Sequence, residues 1–424
     1  MNFKLGLVFY ICVMIYKFAL DYSYINYVSE VFQYAGFLLD FSVFNYVLST
    51  FIVTLFVFLV PYNFNKISDW FLNFFFLLVL MPIACMYGLN KNLSISVFLL
   101  NILVFLILFI ILKVKQIKVL NFSKVKNGEF LFLVSSVFVI FYLISWYILT
   151  GAISNFNLDF SKVYEFREIN SELTNIGVAS YINNWVYQIF SLALLGYGFL
   201  KKNKFIIIFS IVSQIIFFGV SAHKSVLFSI FMIAGLYFYF KISKSLIVIP
   251  IFLSLLIMIS MTIYLNDNFS IYPSMFIRRF IFVPAQLSYA YFDFFQINPY
   301  DFWSRSFLSS INSTHYPDGV SKTIGYFLGT EASANNGFVS SGYAQAGLFG
   351  VILYASLTGY ILKNIDYLAR ANSYPLWFSL ILIVNPLKNL ILSSDLFTVL
   401  LTHGLLISIL LLFLLNNIDR NKVP

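Results

Sequence analysis

The stretch ISVFLLNILVFLILFIIL covers residues 95–112, carries no charge, and is followed at once by the basic run KVKQIK at 113–118. An α-helix needs about 20 consecutive apolar residues to cross a bilayer. Comparable runs recur from one end of the chain to the other. Hydrophobic residues make up 61% of the 424 positions and charged residues only 10%. A soluble globular protein does not need so much apolar surface, so the pattern predicts an all-α polytopic membrane protein.

We predict about twelve transmembrane helices and a single integral membrane domain over residues 1–424. The predicted spans are 5–20, 44–61, 71–89, 95–112, 130–149, 181–200, 205–220, 225–240, 245–264, 338–362, 374–392 and 397–415.

The distribution of basic residues predicts the orientation of these spans. Alternate loops hold most of the 26 lysines and arginines, for example the KKNK run at 201–204. Cytoplasmic loops of membrane proteins carry this excess of basic residues. We therefore predict that both termini are cytoplasmic and that the chain lies in a bacterial inner membrane.

Three predicted outer segments, 21–43, 150–180 and 265–337, hold most of the 17 acidic residues. The first is apolar enough to lie in the membrane interface or to form part of a helix. The other two are predicted to be large periplasmic loops, and we expect any chemistry to occur there.

The 150–180 loop contains VYEFREINSELTNIGVAS, in which Arg167 is surrounded by Glu165, Glu168 and Glu172. One interpretation is a solvated turn with local ion pairs. The other is that Arg167 faces a cleft at the membrane surface, where its guanidinium group would hold a phosphate.

The 265–337 loop contains RRFIFVPAQLSYAYFDFF at 278–295. Arg278 and Arg279 lie in an otherwise apolar run, so we expect an anionic partner for them. Pro284 fits the first turn of a new helix. On that helix Gln286, Tyr289 or Ala290, and Asp293 would form one polar face. The alternative for Asp293 is that it simply pairs with one of the two arginines.

Further polar residues in and near this loop are candidates for substrate contacts. His315 is a candidate catalytic residue, although a lone loop histidine is usually just solvated. His223 and Lys224 lie in a short turn and could add a cation to a phosphate site. Their alternative role is to snorkel, with the polar end of each side chain at the membrane interface. The three histidines are dispersed, so no metal site is predicted, and no cofactor. The other candidates in this region are Arg305, Asp318, Glu331, Asn335 and Asn336.

Gly342, Ala346 and Gly350 are spaced four residues apart in ANNGFVSSGYAQAGLFGV. This spacing predicts a stripe of small residues along one helix face, against which a neighbouring backbone packs closely. Packing does not explain Glu331 or the Asn335–Asn336 pair, which precede the helix. Their amide and carboxylate groups are suited to bind a hydroxyl-rich substrate.

Taken together, the stretch from RRFIFVPAQLSYAYFDFF through WSRS and YPDG to ANNGFVSSGYAQAGLFGV resembles the Wzy-type O-antigen polymerases. The motifs cover roughly residues 275–350, and the arrangement of spans with a dominant late outer loop is similar over the whole chain. These bacterial enzymes are glycosyltransferases with a glycosyltransferase C-like plan.

The resemblance implies a specific activity. Such enzymes join oligosaccharide units carried on undecaprenyl diphosphate at the periplasmic face of the inner membrane, by transferring the growing chain onto the incoming unit. It also implies that the protein works in the membrane, that a chain-length regulator protein is its partner, and that it binds no nucleic acid. Family members use arginines of two periplasmic loops, which correspond by position to Arg167 and to Arg278, Arg279 and Arg305. A family pattern places ten residues between an arginine and a glycine, whereas nine separate Arg167 from Gly177.

The predicted roles follow from the chemistry of a lipid diphosphate leaving group, which needs cations as charge develops on it. The predicted catalytic residues are Arg278, Arg279, Asp293, His315 and Glu331. The predicted substrate-binding residues are Arg167, His223, Lys224, Arg305, Asn335 and Asn336. Asp293, His315, Asp318 and Glu331 all remain candidates for the base that orients the acceptor hydroxyl.

Two alternatives have the same membrane architecture. A lipid-linked oligosaccharide flippase or other transporter would need charged residues along its spans, and only Lys17, Lys388 and Asp395 lie within or at the ends of spans. An O-antigen ligase would use the same donor with a lipid A core as acceptor.

Overall fold

The chain is almost entirely helical. A computed structural model describes residues 3–114, 125–159, 163–174, 176–267, 270–306, 309, 314–371 and 374–415. Within these residues there are α-helices, short π- and 3-10-helical segments and two isolated bridges, but no β-strand. The predicted all-α fold class is confirmed.

The α-helices follow one another in close succession along the chain. They are α1 (Phe3–Ser23), α2 (Ser29–Val31), α3 (Val43–Val57), α4 (Ile67–Phe75), α5 (Met81–Leu89), α6 (Ile95–Lys113), α7 (Gly128–Leu149), α8 (Val163–Thr174), α9 (Val178–Trp185), α10 (Ser191–Lys201), α11 (Lys204–Ser221), α12 (Lys224–Phe240), α13 (Val248–Asp267), α14 (Ile271–Pro273), α15 (Val283–Ile297), α16 (Val320–Phe327), α17 (Phe338–Ala371), α18 (Leu376–Leu392), α19 (Leu396–Leu401) and α20 (Leu405–Leu414).

Eight helical runs among the described residues are long and apolar enough to cross a membrane. Three further apolar helices, Val43–Val57, Lys224–Phe240 and Leu376–Leu392, are shorter. The chain is therefore a multi-pass membrane protein. The number of about twelve crossings, the periplasmic position of the two large loops and the cytoplasmic position of the termini stay predictions.

The chain divides into two compact units. Unit 1 comprises Met1–Lys115, Ser245–Lys363 and Leu390–Leu396, and unit 2 comprises Gln116–Lys244, Asn364–Asn389 and Phe397–Pro424. Both units draw on early and late parts of the chain. The single integral membrane domain stays a prediction, and the candidate residues below are described within each unit.

The predicted outer segments contain helices of their own. A π-helical segment, Tyr24–Val28, extends α1 to α2, so part of the 21–43 segment is helical, one of its two predicted forms. The 150–180 loop contains α8 and the start of α9. In the 265–337 loop, α14, the π-helical segment Ser274–Phe282 and α15 form one continuous helical run, as each begins where the previous one ends.

A buried ion pair lies in the middle of unit 1. Lys17 and Asp21 of α1 are 1% and 6% exposed, and Lys17 Nζ lies 2.5 Å from Asp21 Oδ2. Tyr46 of α3 donates its hydroxyl to the same oxygen at 2.8 Å, while its ring centroid lies 3.8 Å from Lys17 Nζ. Each charge thus has a partner within an apolar helix, and the pair joins α1 to α3.

The predicted small-residue stripe on α17 is wrong, because this helix is broken at its middle. Ala346 has φ −157° and ψ 36°, and Gly347 has φ 57° and ψ −138°. The break turns Gly342 and Gly350 toward each other, so that a Cβ atom added to Gly350 would lie 2.0 Å from the carbonyl oxygen of Gly342. The two glycines therefore pack the two halves of one broken helix together.

We expect single substitutions of the buried ion pair to destabilise the protein. Lys17→Met or Asp21→Leu leaves one buried charge without a counter-charge, which typically costs about 3–5 kcal/mol, whereas the double variant replaces the pair by apolar groups and should recover most of the loss. Denaturant unfolding of the purified protein measures this. Lys4→Met, at an exposed position of the same helix, is the control. Single variants as stable as the wild type would show that the pair is dispensable.

We also expect Gly350→Ala to reduce the amount of folded protein strongly, and Gly342→Ala less. The added Cβ of Gly342 would lie 2.9 Å from the Gly350 carbonyl oxygen, a less severe clash than the 2.0 Å of the reverse case. Gly235→Ala in α12 is the matched control, because nothing lies within 4 Å of its added Cβ. That change should be neutral or stabilise by up to about 1 kcal/mol. Equal yields of all three variants would contradict the close packing at the break.

Candidate functional site

The two adjacent arginines lie on the π-helical segment Ser274–Phe282 of unit 1. Here the amide of Val283 donates to the carbonyl of Arg278, five residues back. The next residue, Pro284, has no amide hydrogen, and it takes the second position of α15 as predicted. Single π-helical turns occur often at functional sites. The wide turn presents two guanidinium groups from consecutive positions.

Arg278 is half-buried and stacks on an aromatic ring. Its guanidinium carbon lies 4.3 Å from the centroid of the Phe32 ring, and its Nε atom is buried with no hydrogen-bond partner among the described residues. Burial lowers the pKa of Arg278, and the neighbouring charge of Arg279 lowers it further, while Tyr34 and Tyr27 oppose this. An arginine stays charged in proteins. The buried Nε–H of Arg278 is thus a hydrogen-bond donor without an acceptor among the described residues. The guanidinium group of the next residue, Arg279, is exposed.

Asp293 does not pair with either arginine, so that alternative is wrong. No ion pair among the described side chains joins Asp293 to Arg278 or Arg279, whereas Lys17–Asp21, Lys91–Asp40 and Lys201–Glu129 do form ion pairs. Asp293 lies 14 positions beyond Arg279, which is about 21 Å along a helix. Its side chain reaches solvent, but desolvation by its surroundings raises its pKa. A carboxylate with a raised pKa is a stronger base, which suits its predicted catalytic role.

The rest of the predicted polar face of α15 holds unit 1 together. The amide of Gln286 donates to the carbonyl oxygen of Ala35, and the hydroxyl of Tyr289 donates to that of Ile83 at 3.3 Å. The Nδ2 of Asn336, which is 5% exposed, donates to the carbonyl of Pro284 at 3.0 Å and to Ser340 Oγ at 2.8 Å. The amide of Asn336 therefore fixes the start of α17 to α15, whereas Asn335 is exposed.

The remaining candidates of unit 1 lie on its surface. Arg305, His315, Asp318 and Glu331 are all exposed. The guanidinium of Arg305 packs against Gly319, and Lys322 Nζ donates to the backbone carbonyl of Glu331. Within the described part of the chain, no hydrogen bond or ion pair joins these residues to Arg278 or Arg279. Their predicted roles stay predictions.

Three candidates lie in unit 2. Arg167 is exposed on α8, His223 precedes the first residue of α12, and Lys224 is that first residue. The His223 ring lies 6.0 Å from the Tyr187 ring, centroid to centroid. Burial lowers the pKa of His223 to about 4, with a smaller contribution from the charge of Arg167. His223 is therefore a half-buried group that is neutral at pH 7. Of the three acids proposed as partners of Arg167, Glu172 is exposed and forms no ion pair with it, and the side chains of Glu165 and Glu168 lie outside the described set.

Sequence reasoning missed a polar pocket in unit 2. Its lining comprises Tyr187, Gln188, Ser225, Val226, Ser229, Asn385, Lys388 and Asn389, and we call it the Lys388 pocket. The space open to the centres of water molecules is about 60 Å³. The sequence did contain one signal of this pocket, which is Lys388 inside an apolar span. An ionisable residue in such a span usually marks a functional site. The polar residues around it come from other helices and could not be placed.

His403 borders this region at a second helix break, between α19 and α20. Gly404 has φ 71°, and the carbonyl of Leu401 accepts hydrogen bonds from the Gly404 amide at 3.1 Å and from Trp185 Nε1 at 2.7 Å. The Nδ1 of His403 lies 3.4 Å from Gln188 Nε2. Since an amide nitrogen only donates, Nδ1 accepts and the ring proton sits on Nε2. The break thus sets both the position and the tautomer of His403.

No group of three or more His, Cys, Asp or Glu side chains that could hold a metal ion occurs among the described residues. Comparison with protein-family models, with curated proteins and with solved structures gives no match to this chain.

The neutral state of His223 gives an expectation for stability against pH. A histidine titrates near 6.5 when unfolded and near 4 here. As pH falls from about 6.5 to about 4, the unfolded state binds a proton that the folded state does not, so the protein loses stability. We expect His223→Gln to remove part of this loss, as measured by thermal unfolding between pH 7 and pH 4. His315→Gln, at an exposed site, is the control. An unchanged pH dependence in His223→Gln would contradict the neutral state of this histidine.

Proposed function

We propose that this chain is a glycosyltransferase, an O-antigen polymerase of the Wzy type. It would join undecaprenyl-diphosphate-linked repeat units of O-antigen or capsule at the periplasmic face of the bacterial inner membrane. The growing chain would be transferred from its lipid diphosphate to the incoming lipid-linked unit. The polymerase would need no cofactor, and a chain-length regulator protein would be its partner in lipopolysaccharide biosynthesis.

The observation that carries this proposal is the arginine pair. Arg278 keeps a buried, unpartnered Nε donor and stacks on Phe32, while Arg279 beside it is exposed. No carboxylate of the described residues neutralises either one. Because an unpartnered buried donor is costly, the Nε of Arg278 favours an anionic ligand, and the exposed guanidinium of Arg279 beside it can bind the same anion. A multi-pass helical membrane protein is the setting in which a lipid-linked diphosphate would reach them.

The chemistry assigns separate roles to cations and carboxylates. When the glycosidic bond to the diphosphate breaks, negative charge grows on the leaving phosphate, and Arg278 and Arg279 would stabilise it. The attacking hydroxyl of the acceptor sugar must lose a proton. Asp293 is our first choice for this base, because desolvation raises its pKa while its side chain still reaches solvent. Asn335, Arg305 and Arg167 would bind the sugars and the second lipid-linked unit.

Specific observations favour the transporter alternative. The chain has helix breaks at Ala346–Gly347 and around His403, and discontinuous helices often line transport sites. It also carries Lys388 in a polar pocket on an apolar helix and the buried Lys17–Asp21 pair within a span. Export of lipid-linked units into inverted membrane vesicles tests this alternative, because a polymerase would lengthen the units without moving them.

Deletion of the gene in its own bacterium tests the proposed function directly. We expect lipid A core that carries a single O-unit, with no ladder of longer chains on electrophoresis of the surface polysaccharide. A persistent ladder would rule out a polymerase. Loss of the single unit as well would point to the flippase or the ligase.

Single alanine substitutions test the arginine pair. We expect Arg278→Ala and Arg279→Ala each to abolish or strongly shorten the ladder at normal protein level. A hydrogen bond to a charged group contributes about 1.5–3 kcal/mol, so its loss in the transition state slows the reaction about ten- to a hundred-fold. Lysine keeps the charge but loses the planar fork, so it should rescue only in part. Arg370→Ala, at an exposed position of α17, is the control. A normal ladder in both alanine variants would remove the pair from the site.

A further inference from the structure

We infer that the Lys388 pocket of unit 2 is a binding site for a phosphate-class oxyanion. Lys388 lies in α18, an apolar helix, and lines the pocket with seven other residues. Among the described residues its ammonium group has neither an ion pair nor a hydrogen bond. Lys388 is half-buried on a helix that is otherwise apolar. A cation on such a helix without a counter-charge is costly, and such residues almost always pair. The missing partner of Lys388 is therefore a bound anion.

The described side chains around Lys388 carry no negative charge. No acidic side chain of the described residues lines the pocket. His403 lies close enough to interact electrostatically with Lys388, and the Tyr187 ring on the pocket wall packs against His223. The nearby hydroxyl and amide groups of Ser225, Ser229 and Asn389 add neutral polar atoms. A metal cation would be repelled here, whereas an oxyanion would gain charge-assisted hydrogen bonds.

A second, independent observation concerns Asn385 on the same pocket wall. Its side chain is 3% exposed, and its Nδ2 donates to the carbonyl of Gln188 at 3.1 Å, which fixes the orientation of the amide. Its Oδ1 is buried and accepts no hydrogen bond from the described residues. This oxygen needs an O–H or N–H donor. A ligand that satisfies both Lys388 and Asn385 carries negative charge and a hydroxyl, as a hydrogen phosphate group does.

The size of the pocket agrees with this ligand. About 60 Å³ is open to the centres of water molecules, several times the roughly 10–15 Å³ that one water requires. A tetrahedral phosphate group fits such a space. Ser225, on the rim, is exposed, so the pocket reaches the surface of unit 2 beside this residue.

The wall opposite Lys388 is held rigidly. Tyr187 and Gln188 lie on the π-helical segment Val186–Phe190, and Gln214 Nε2 donates to the carbonyl of Tyr187 at 2.8 Å. Asn389 Nδ2 donates to Gln188 Oε1 at 2.9 Å, and Gln188 Nε2 donates to Asn184 Oδ1 at 3.2 Å. A site whose polar groups are already oriented loses less entropy when it binds a ligand.

The phosphate group could belong to a lipid headgroup or to a free anion. Its assignment to a lipid diphosphate rests on the proposed function, whereas the binding of a phosphate group does not. The two are separable by experiment, because anion binding is measured on the purified protein and chain growth on whole cells.

The experiment is calorimetric titration of the full-length protein in phosphatidylcholine nanodiscs with inorganic phosphate and with pyrophosphate. We expect binding by the wild type and a loss of affinity of about ten- to a hundred-fold in Lys388→Met. Lys204→Met removes an exposed lysine of the same unit and should bind as the wild type does. No binding by the wild type, or equal binding by Lys388→Met, would overturn the inference.

A second variant protects the test against misfolding of Lys388→Met. Asn385→Asp places a carboxylate beside Lys388, so it supplies an internal counter-charge. We expect it to fold at least as well as Lys388→Met and to lose pyrophosphate binding. Full pyrophosphate binding by Asn385→Asp would contradict the site.

Nanodiscs that contain phosphatidic acid, a lipid with a phosphate monoester headgroup, identify the source of the anion. Competition by this lipid against pyrophosphate, absent in Lys388→Met, supports the pocket with a lipid headgroup as ligand. Pyrophosphate binding that persists at the same affinity supports the pocket with a free anion as ligand. If Lys388→Met binds phosphate, pyrophosphate and phosphatidic acid as tightly as the wild type does, the pocket is not an oxyanion site.

Discussion

The lack of water in the hydrocarbon layer is the constraint on which this structure depends. A backbone N–H or C=O group exposed there costs several kcal/mol, so spanning segments must satisfy their own hydrogen bonds. Helices do this wherever they are continuous. Where α17 breaks, the amides of Asp301 and Phe302 donate to the freed carbonyls of Ala344 and Gln345, both at 3.0 Å. At the other break the Trp185 indole adds a second hydrogen bond to the Leu401 carbonyl, which also accepts from the Gly404 amide. At both of these breaks, neighbouring residues thus donate hydrogen bonds to the backbone carbonyls.

The same constraint divides the interior charges into two kinds. Lys17 and Asp21 neutralise each other within α1, and Tyr46 donates to Asp21 Oδ2, so this pair is closed in charge, although Asp21 Oδ1 has no hydrogen-bond partner among the described residues. Arg278 and Lys388 are different, because no described carboxylate neutralises Arg278, whose buried Nε lacks a partner, and no acidic side chain of the described residues lines the pocket of Lys388. A closed pair stabilises packing without needing a ligand. A cation without a counter-charge is costly unless an anionic ligand supplies one. Arg278 and Lys388 are therefore the two cations to which we assign anionic ligands.

Residues that look alike in the sequence fall into different environments in the fold. Asn335 and Asn336 are adjacent, yet one is exposed and the other joins α15 to α17 through its amide. His223 is a half-buried neutral group, whereas His315 is exposed on the surface. Neither difference follows from residue type or spacing. Each arises from which distant helix packs over the side chain, and a single sequence without tertiary contacts carries no such information.

The sequence by itself determined the all-α membrane class and the places where helices would form, because apolar runs of bilayer length have only one stable solution in lipid. It also showed the arginine pair, whose cost in an apolar run is visible from local composition. Only the tertiary structure decided that α17 turns back at Gly347, that Asp293 leaves the arginines unpaired, and that Lys388 meets Gln188 and Asn385 in one pocket. These outcomes depend on side chains brought together from distant parts of the chain. Packing geometry sets them, whereas local hydrophobicity sets only the helices.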